Sequence, residues 1–290
     1  MAVASPELTA VVDRGISWAL SVLHDRFADD DHAENNLAYH NEGHTNWVIE
    51  YTAYLLKAMG ADERQILIGR YSAACHDLVQ KWEQNQTADG KVLRRRFAGN
   101  NEAASADDGI AWMAENSHGA FTEEDATTLR TALMATVPGW DPVNFTVLQP
   151  NLHPDSDFVI RALALADLGA GGLDSATYSK QGDQLFREEN LDISRILATV
   201  SSYDEIPEAH RISFRTRLLG WSRTQAGFVT GRKNRLEIEL GNLLEESKGV
   251  LREMFGDFDE SAAKTKAIFE RREAMTFAEM AADAGYKLGN

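Results

Sequence analysis

The chain has a single cysteine, Cys75, which excludes an intramolecular disulfide and any cysteine-rich zinc module and suits a reducing compartment. Proline is nearly as scarce: of six residues, Pro138, Pro142, Pro150 and Pro154 cluster in one stretch, which therefore reads as a loop. Nowhere do some 18 uncharged apolar residues run together, so no segment reads as a membrane span. The start, Met1-Ala2-Val3-Ala4-Ser5-Pro6-Glu7, lacks the basic stretch and apolar core of a secretory leader. The expectation is a cytoplasmic protein with no membrane partner. Positive charge is in deficit, 29 Lys and Arg against 45 Asp and Glu, and the net charge of -16 repels phosphate backbones. Nucleic-acid polymers are not expected partners.

What is present is the composition of a folded globular chain, 43% hydrophobic and 26% charged, too apolar for disorder. Apolar residues recur at roughly 3.6-residue spacing, as in Val11, Ile16, Ala19, Leu20 and Leu23, or Ile66, Tyr71, Ala74, Cys75 and Leu78. Ser5-Pro6-Glu7 reads as a helix start, with Ser as the cap and Pro in the first turn. Helices are predicted over 6–27, 43–59, 62–85, 101–116, 122–136, 156–169, 174–188, 190–200, 207–224, 232–254, 258–272 and 276–285. Asp29-Asp30-Asp31, Glu34-Asn35-Asn36, Thr87-Ala88-Asp89-Gly90 and Gly169-Ala170-Gly171-Gly172 mark connections. No alternating strand is visible. The expected fold is all-α, with a helical core over 1–178 and a helical extension over 179–290 packed on it, compatible with a monomer or a homo-oligomer.

His76-Asp77 lies in the apolar run Ala73-Ala74-Cys75-His76-Asp77-Leu78-Val79, and burying such a pair is unfavourable unless a partner such as a metal ion satisfies it. Tyr39-His40-Asn41-Glu42-Gly43-His44 precedes it, and Asp167 follows at the end of Ala162-Leu163-Ala164-Leu165-Ala166-Asp167. A metal must draw ligands from separate segments, because neighbours on one helix cannot surround it. His44, His76, Asp77 and Asp167 are the candidate ligands, and a helical bundle can bring them to one point. Imidazole and carboxylate suit Mn, Co, Ni, Fe, Mg or Zn. If a helix begins by residue 40, His40 shares a face with His44 and stands beside the metal without ligating it. A protonated imidazole there would act as general acid toward a leaving oxygen; an equally open reading gives His40 a structural hydrogen bond.

Two basic clusters stand out against the acidic background. Residues 81–100 carry Lys81, Lys91, Arg94, Arg95 and Arg96 against Glu83 and Asp89, and guanidinium groups pair bidentately with phosphate. Arg94, Arg95 and Arg96 are thus candidate substrate ligands, with a solvated charge run as the alternative. Arg211, Arg215, Arg217, Arg223, Arg232, Lys233 and Arg235 face no acid within 211–235, and internal salt bridges are the simpler reading for them.

The set Tyr39-His40-Asn41-x-x-His44, His76-Asp77, Asn101-Glu102-Ala103-Ala104-Ser105-Ala106 and Ala166-Asp167-Leu168-Gly169 resembles the HD superfamily of metal-dependent phosphohydrolases, in its uncharacterised branch. Tyr178 to Glu189 and Arg232-Lys233-Asn234-Arg235-Leu236-Glu237-Ile238-Glu239-Leu240 are also similar to helices of that branch, so the likeness spans about residues 39 to 240. It implies an HD-type helical bundle with His44, His76, Asp77 and Asp167 as metal ligands and Glu102 near the metal-bound water. It also implies a small phosphorylated substrate, a nucleotide as leading candidate, hydrolysed by metal-activated water with Asp77 or Glu102 taking its proton. For Glu102 the alternative is a favourable place in the first turn of its helix. One departure is Ala135-Thr136-Val137-Pro138-Gly139-Trp140, where a His is expected a few residues after the Ala-Thr.

Two rival classes remain. If His118 and His153 were ligands, the chain would have the H…HD…H…H…D order of binuclear HD proteins, including di-iron oxygenases. The other rival is a metal-binding regulator without turnover, docking an acidic partner on its arginine-rich helices.

Overall fold

The computed structural model describes residues 5–28, 36–86 and 92–289. The connections expected at Asp29-Asp30-Asp31, at Glu34 and Asn35 and at Thr87-Ala88-Asp89-Gly90 lie outside the described residues, as does Lys91. The fold is all-α. Helices α1 (Pro6–Phe27), α2 (Glu42–Met59) and α3 (Glu63–Cys75) are followed by a hairpin of β1 (Trp82–Gln86) and β2 (Val92–Arg96). Then come α4 (Asn100–Asn116), α5 (Glu123–Ala135), a second hairpin of β3 (Gly139–Asp141) and β4 (Thr146–Leu148), and α6 (Phe158–Asp167). The remainder is α7 (Ala170–Leu173), α8 (Ser175–Glu189), α9 (Leu191–Ala198), α10 (Glu208–Leu240), α11 (Glu245–Met254), α12 (Phe258–Glu273) and α13 (Phe277–Asp283).

Caps fix where the first three helices begin. The Ser5 side chain accepts from Leu8 N at 3.1 Å, with Pro6 in the first turn of α1. Asn41 caps α2 by accepting from the amides of Gly43 and His44, while its own amide group donates to the carbonyls of Leu37 and Ala38. Asp62 and Gln65 form a reciprocal capping box on α3. Helix α3 runs through the middle of the main core, burying Leu67, Ile68, Tyr71, Ala73, Ala74 and Cys75 against α1, α2, α5 and α6. Burial pushes the Cys75 thiol up to about 12. It is an inert packing residue.

Two expectations are corrected here. The third helix does not reach residue 85 but stops at Cys75, and Trp82–Gln86 pairs antiparallel with Val92–Arg96, in register from Trp82 opposite Arg96 to Gln86 opposite Val92. The reason lies in α4. Ser105 Oγ accepts from Val79 N at 2.9 Å, and the Asn101 amide clamps both backbone groups of Lys81 at 3.1 Å. Those backbone groups are taken by α4, so the chain after His76-Asp77 leaves the helix. The second correction is that 207–224 and part of 232–254 form one helix of 33 residues, α10. The loop expected over 138–154 also contains the small β3–β4 hairpin, whose turn is held by Asp141 Oδ1 accepting from Val143 N and Asn144 N.

The 211–235 cations are used inside the fold. Arg217 pairs with Asp192, Arg232 with Glu239, Arg235 with Asp141 and Glu239, and Lys233 with Asp259. The boundary expected at 178/179 falls within α8, and the main core includes Val229, Leu236, Leu240, Leu251, Phe255 and Phe258 from beyond it. Arg272, only 1% exposed, ties four helices together: Nη1 and Nη2 donate to Asp183 of α8, Nε to Asp283 of α13 and Nη1 to Ser222 of α10. Arg272→Met would leave Asp183 without its cation and Asp283 with Arg271 alone. It is expected to destabilise the protein by about 1–3 kcal/mol, read as a lowered urea midpoint; an unchanged midpoint would show that the network is energetically idle.

Candidate metal centre

Three helix ends meet at one point. His44 comes from the first turn of α2, His76 caps the C-terminus of α3 with Asp77 next to it, and Asp167 is the last residue of α6. Helix α6 brings Asp167 there because Val159 and Ala162 to Ala166 are buried against α2, α3 and α5. Ligand atoms of His44, His76 and Asp167 all lie within 4.8 Å of one another. Asp77 Oδ2 stands 3.0 Å from His76 Nε2 and 3.7 Å from His44 Nε2, and Asp167 Oδ1 stands 3.4 Å from His44 Nε2. His44, His76 and Asp77 are buried, whereas the Asp167 side chain is 15% exposed and marks the open side.

The donor set fits a divalent cation. His76 Nδ1 donates to the Ala73 carbonyl at 2.7 Å, which turns the Nε2 lone pair of the neutral ring toward the cluster. His44 Nδ1 faces the Gln181 amide at 3.5 Å, so its Nε2 too points inward. The two Nε2 atoms are 3.4 Å apart. Asp77 Oδ1 accepts from Gln80 Nε2 at 2.7 Å, but Oδ2 is buried and accepts no hydrogen bond. Two Nε2 atoms facing the cluster, that of His76 with its lone pair inward, and a buried carboxylate oxygen without a hydrogen-bond donor call for positive charge.

Without a cation, protons supply that charge. Burial works against a charge on His76, but Asp77 and Asp167 outweigh it and push His76 up to about 9. Burial likewise lowers His44, and His76 adds to that effect. Burial disfavours the Asp77 anion too, yet the charge and hydrogen bond of His76, together with Arg96, hold it well below the usual carboxylate range. A metal must therefore displace the His76 proton. Metal affinity is expected to strengthen by about tenfold per pH unit from neutrality toward pH 9 and then level off, with proton release on binding. Calorimetric titration in buffers of different ionisation enthalpy checks this; a pH-independent affinity would remove His76 from the ligand set.

Beside this cluster stands His40, which is not helical: it lies in the turn before α2, so the helical face expected to join it to His44 does not exist. Its place is set by Glu188 at the end of α8. Glu188 Oε2 accepts from the backbone amides of Tyr39 at 2.9 Å and His40 at 3.0 Å, and Oε1 accepts from His40 Nδ1 at 2.5 Å. On the other side, Arg96 Nη1 donates to His40 Nε2 at 2.9 Å. Arg96 Nη2 also lies 3.5 Å from both Asp77 Oδ1 and Glu102 Oε1.

The sequence candidates thus separate. His40, His44, His76, Asp77, Arg96, Glu102 and Asp167 come together. Glu102 is buried, and its Oε2 accepts from Gly99 N at 2.5 Å, so it closes the start of α4 as well as facing Arg96. Arg94 packs over the Trp82 ring at 5.5 Å, and Arg95 is exposed on the hairpin. His118 and His153 are exposed, and neither joins the ligand group found among the described residues. The His153 backbone is engaged instead, its N–H donating to Ser156 Oγ and its carbonyl accepting from the buried Arg161. Gln80, Gln181 and Glu188 were not singled out from the sequence; only Glu188, in an acidic pair closing a helix, carried a signal.

No family model, no curated protein and no solved structure matches this chain.

Proposed function

We propose that this chain is an HD-type, metal-dependent phosphohydrolase of a small phosphorylated molecule, with a nucleotide as leading candidate. The observation that carries this reading is the orphaned, buried Asp77 Oδ2 among two inward imidazoles and Asp167, with an arginine and a non-ligating histidine alongside. His44, His76, Asp77 and Asp167 would hold a divalent ion; bound there, it supplies polarisation of a phosphoryl oxygen and a more acidic water.

The remaining groups belong to the chain. Arg96 Nε is buried without an acceptor and is a spare donor for a phosphoryl oxygen. His40 Nε2 borders the same space. Arginine has no acceptor, so the nitrogen that meets Arg96 must carry a lone pair, which puts the ring hydrogen on Nδ1 toward Glu188. This changes the role expected from the sequence. In the resting site His40 is equipped to take the proton of the attacking water rather than to donate one. Glu102 is engaged with Gly99 and Arg96 and steadies the guanidinium.

The test is phosphate release from nucleotides and sugar phosphates with Mn, Co, Ni, Fe, Mg or Zn supplied in turn. Release that requires one of these ions and disappears on chelation supports the reading. No release from any substrate, together with oxygen consumption and two irons per chain, favours the oxygenase.

A further inference from the structure

His40 is gripped from a distant part of the chain. Glu188 lies 148 residues away, its side chain has no exposed surface, and all three of its bonds serve Tyr39 and His40. Burial raises a carboxylate, but the His40 ring and the two backbone N–H donors outweigh it and hold Glu188 below its ordinary value. Its neighbour Glu189 behaves oppositely: burial and then the charge on Glu188 push it up to about 7. Of this acidic pair, Glu188 carries the charge and spends it on one imidazole.

A free imidazole places its proton on either nitrogen. Here Nδ1 faces a carboxylate, which can only accept, and Nε2 faces a guanidinium, which can only donate. We propose that Glu188 is the positioning residue that keeps His40 in the Nδ1–H tautomer, leaving Nε2 as the site's proton acceptor, uncovered when Arg96 turns to a phosphoryl oxygen. This rests on the phosphohydrolase reading for its substrate half, and on the hydrogen bonds alone for its tautomer half. A phosphoryl oxygen is a stronger partner for Arg96 than an imidazole nitrogen, so an arriving anion draws the guanidinium off. Glu188 meanwhile keeps the ring from turning. When Nε2 takes the proton of water, both ring nitrogens carry hydrogen, and the Glu188 carboxylate faces the new positive charge. The oxygen–phosphorus bond forms from the water oxygen as the leaving oxygen departs with the electron pair, and the proton on His40 is available to it.

The test has two arms that fail separately. In metal-free protein labelled with 15N-histidine, long-range proton–nitrogen spectra, with His40 assigned by comparison with His40→Gln, should show its hydrogen on Nδ1 and a bare Nε2. A wild-type His40 with its hydrogen on Nε2 overturns the proposal whatever the protein hydrolyses. In the second arm Glu188→Gln, loaded with metal as wild type, should mix the tautomers and lower kcat by about 10- to 100-fold with KM changed less than about twofold. Glu188→Asp, which keeps the charge, should recover part of that loss. Unchanged tautomer and kcat in Glu188→Gln would also overturn the proposal. If no substrate releases phosphate even from wild type, the phosphohydrolase reading falls, while the spectra still decide the role of Glu188.

Discussion

Asp77→Ala is expected to strip the metal from the protein and to reduce phosphate release to background. Asp77 adjoins the cluster, with Oδ2 buried 3.0 Å from His76 Nε2 and 3.7 Å from His44 Nε2 and Oδ1 held in place by Gln80. Removing it leaves two neutral donors and one partly exposed carboxylate, a set that no longer balances a divalent charge. It also leaves Arg96, now 3.5 Å from that carboxylate, facing the site with one anion fewer. Both effects disfavour a cation. Elemental analysis after gel filtration should find the metal of wild type absent from the variant while the helical circular dichroism persists. Asp77→Ala protein that keeps its metal and its rate would show that the ligand set is wrong.

His40→Ala should separate binding from turnover. His40 lies outside the ligand group, so the metal is expected to stay, whereas kcat is expected to fall by about 10²–10⁴-fold, the usual contribution of a positioned proton acceptor. The substitution leaves the buried Glu188 bonded to two backbone amides but without its imidazole, so a lower melting temperature is expected as well. His40→Gln keeps a hydrogen-bonding group in that space and should fold better without regaining the rate. Steady-state kinetics with the metal content measured in parallel decides the matter. A His40→Gln rate equal to that of wild type would deny His40 any part in proton transfer, and loss of metal from both variants would make it a ligand.

The helices were legible because their signals are local. Apolar spacing and the Ser5-Pro6 start locate α1 to the residue, and of the H…HD…D set His44, His76 and Asp167 lie together at the ends of α2, α3 and α6, with Asp77 next to His76. The misses share one cause, contacts made across the chain. Nothing near residue 78 stops a helix; Asn101 and Ser105 do so from α4. The gap expected between residues 224 and 232 is continuous helix, and a Cβ on Gly231 there would lie 2.3 Å from the Asn144 carbonyl oxygen. That glycine is needed for the β3–β4 hairpin to approach α10, not for a turn. His40 was expected to be placed by helical periodicity and is instead placed by Glu188. Of three consecutive arginines, strand alternation and the lie of the hairpin bring one, Arg96, to His40 and leave Arg95 exposed.

The central claim is that one divalent ion sits among His44, His76, Asp77 and Asp167. A crystal of the metal-loaded protein, with diffraction data collected at the absorption edge of the added ion, tests this directly. A single anomalous peak within ligating distance of those four side chains, with His40 nearby but not bound to it, is the predicted result. A peak elsewhere, a second peak held by His118 or His153, or no peak at all would contradict it.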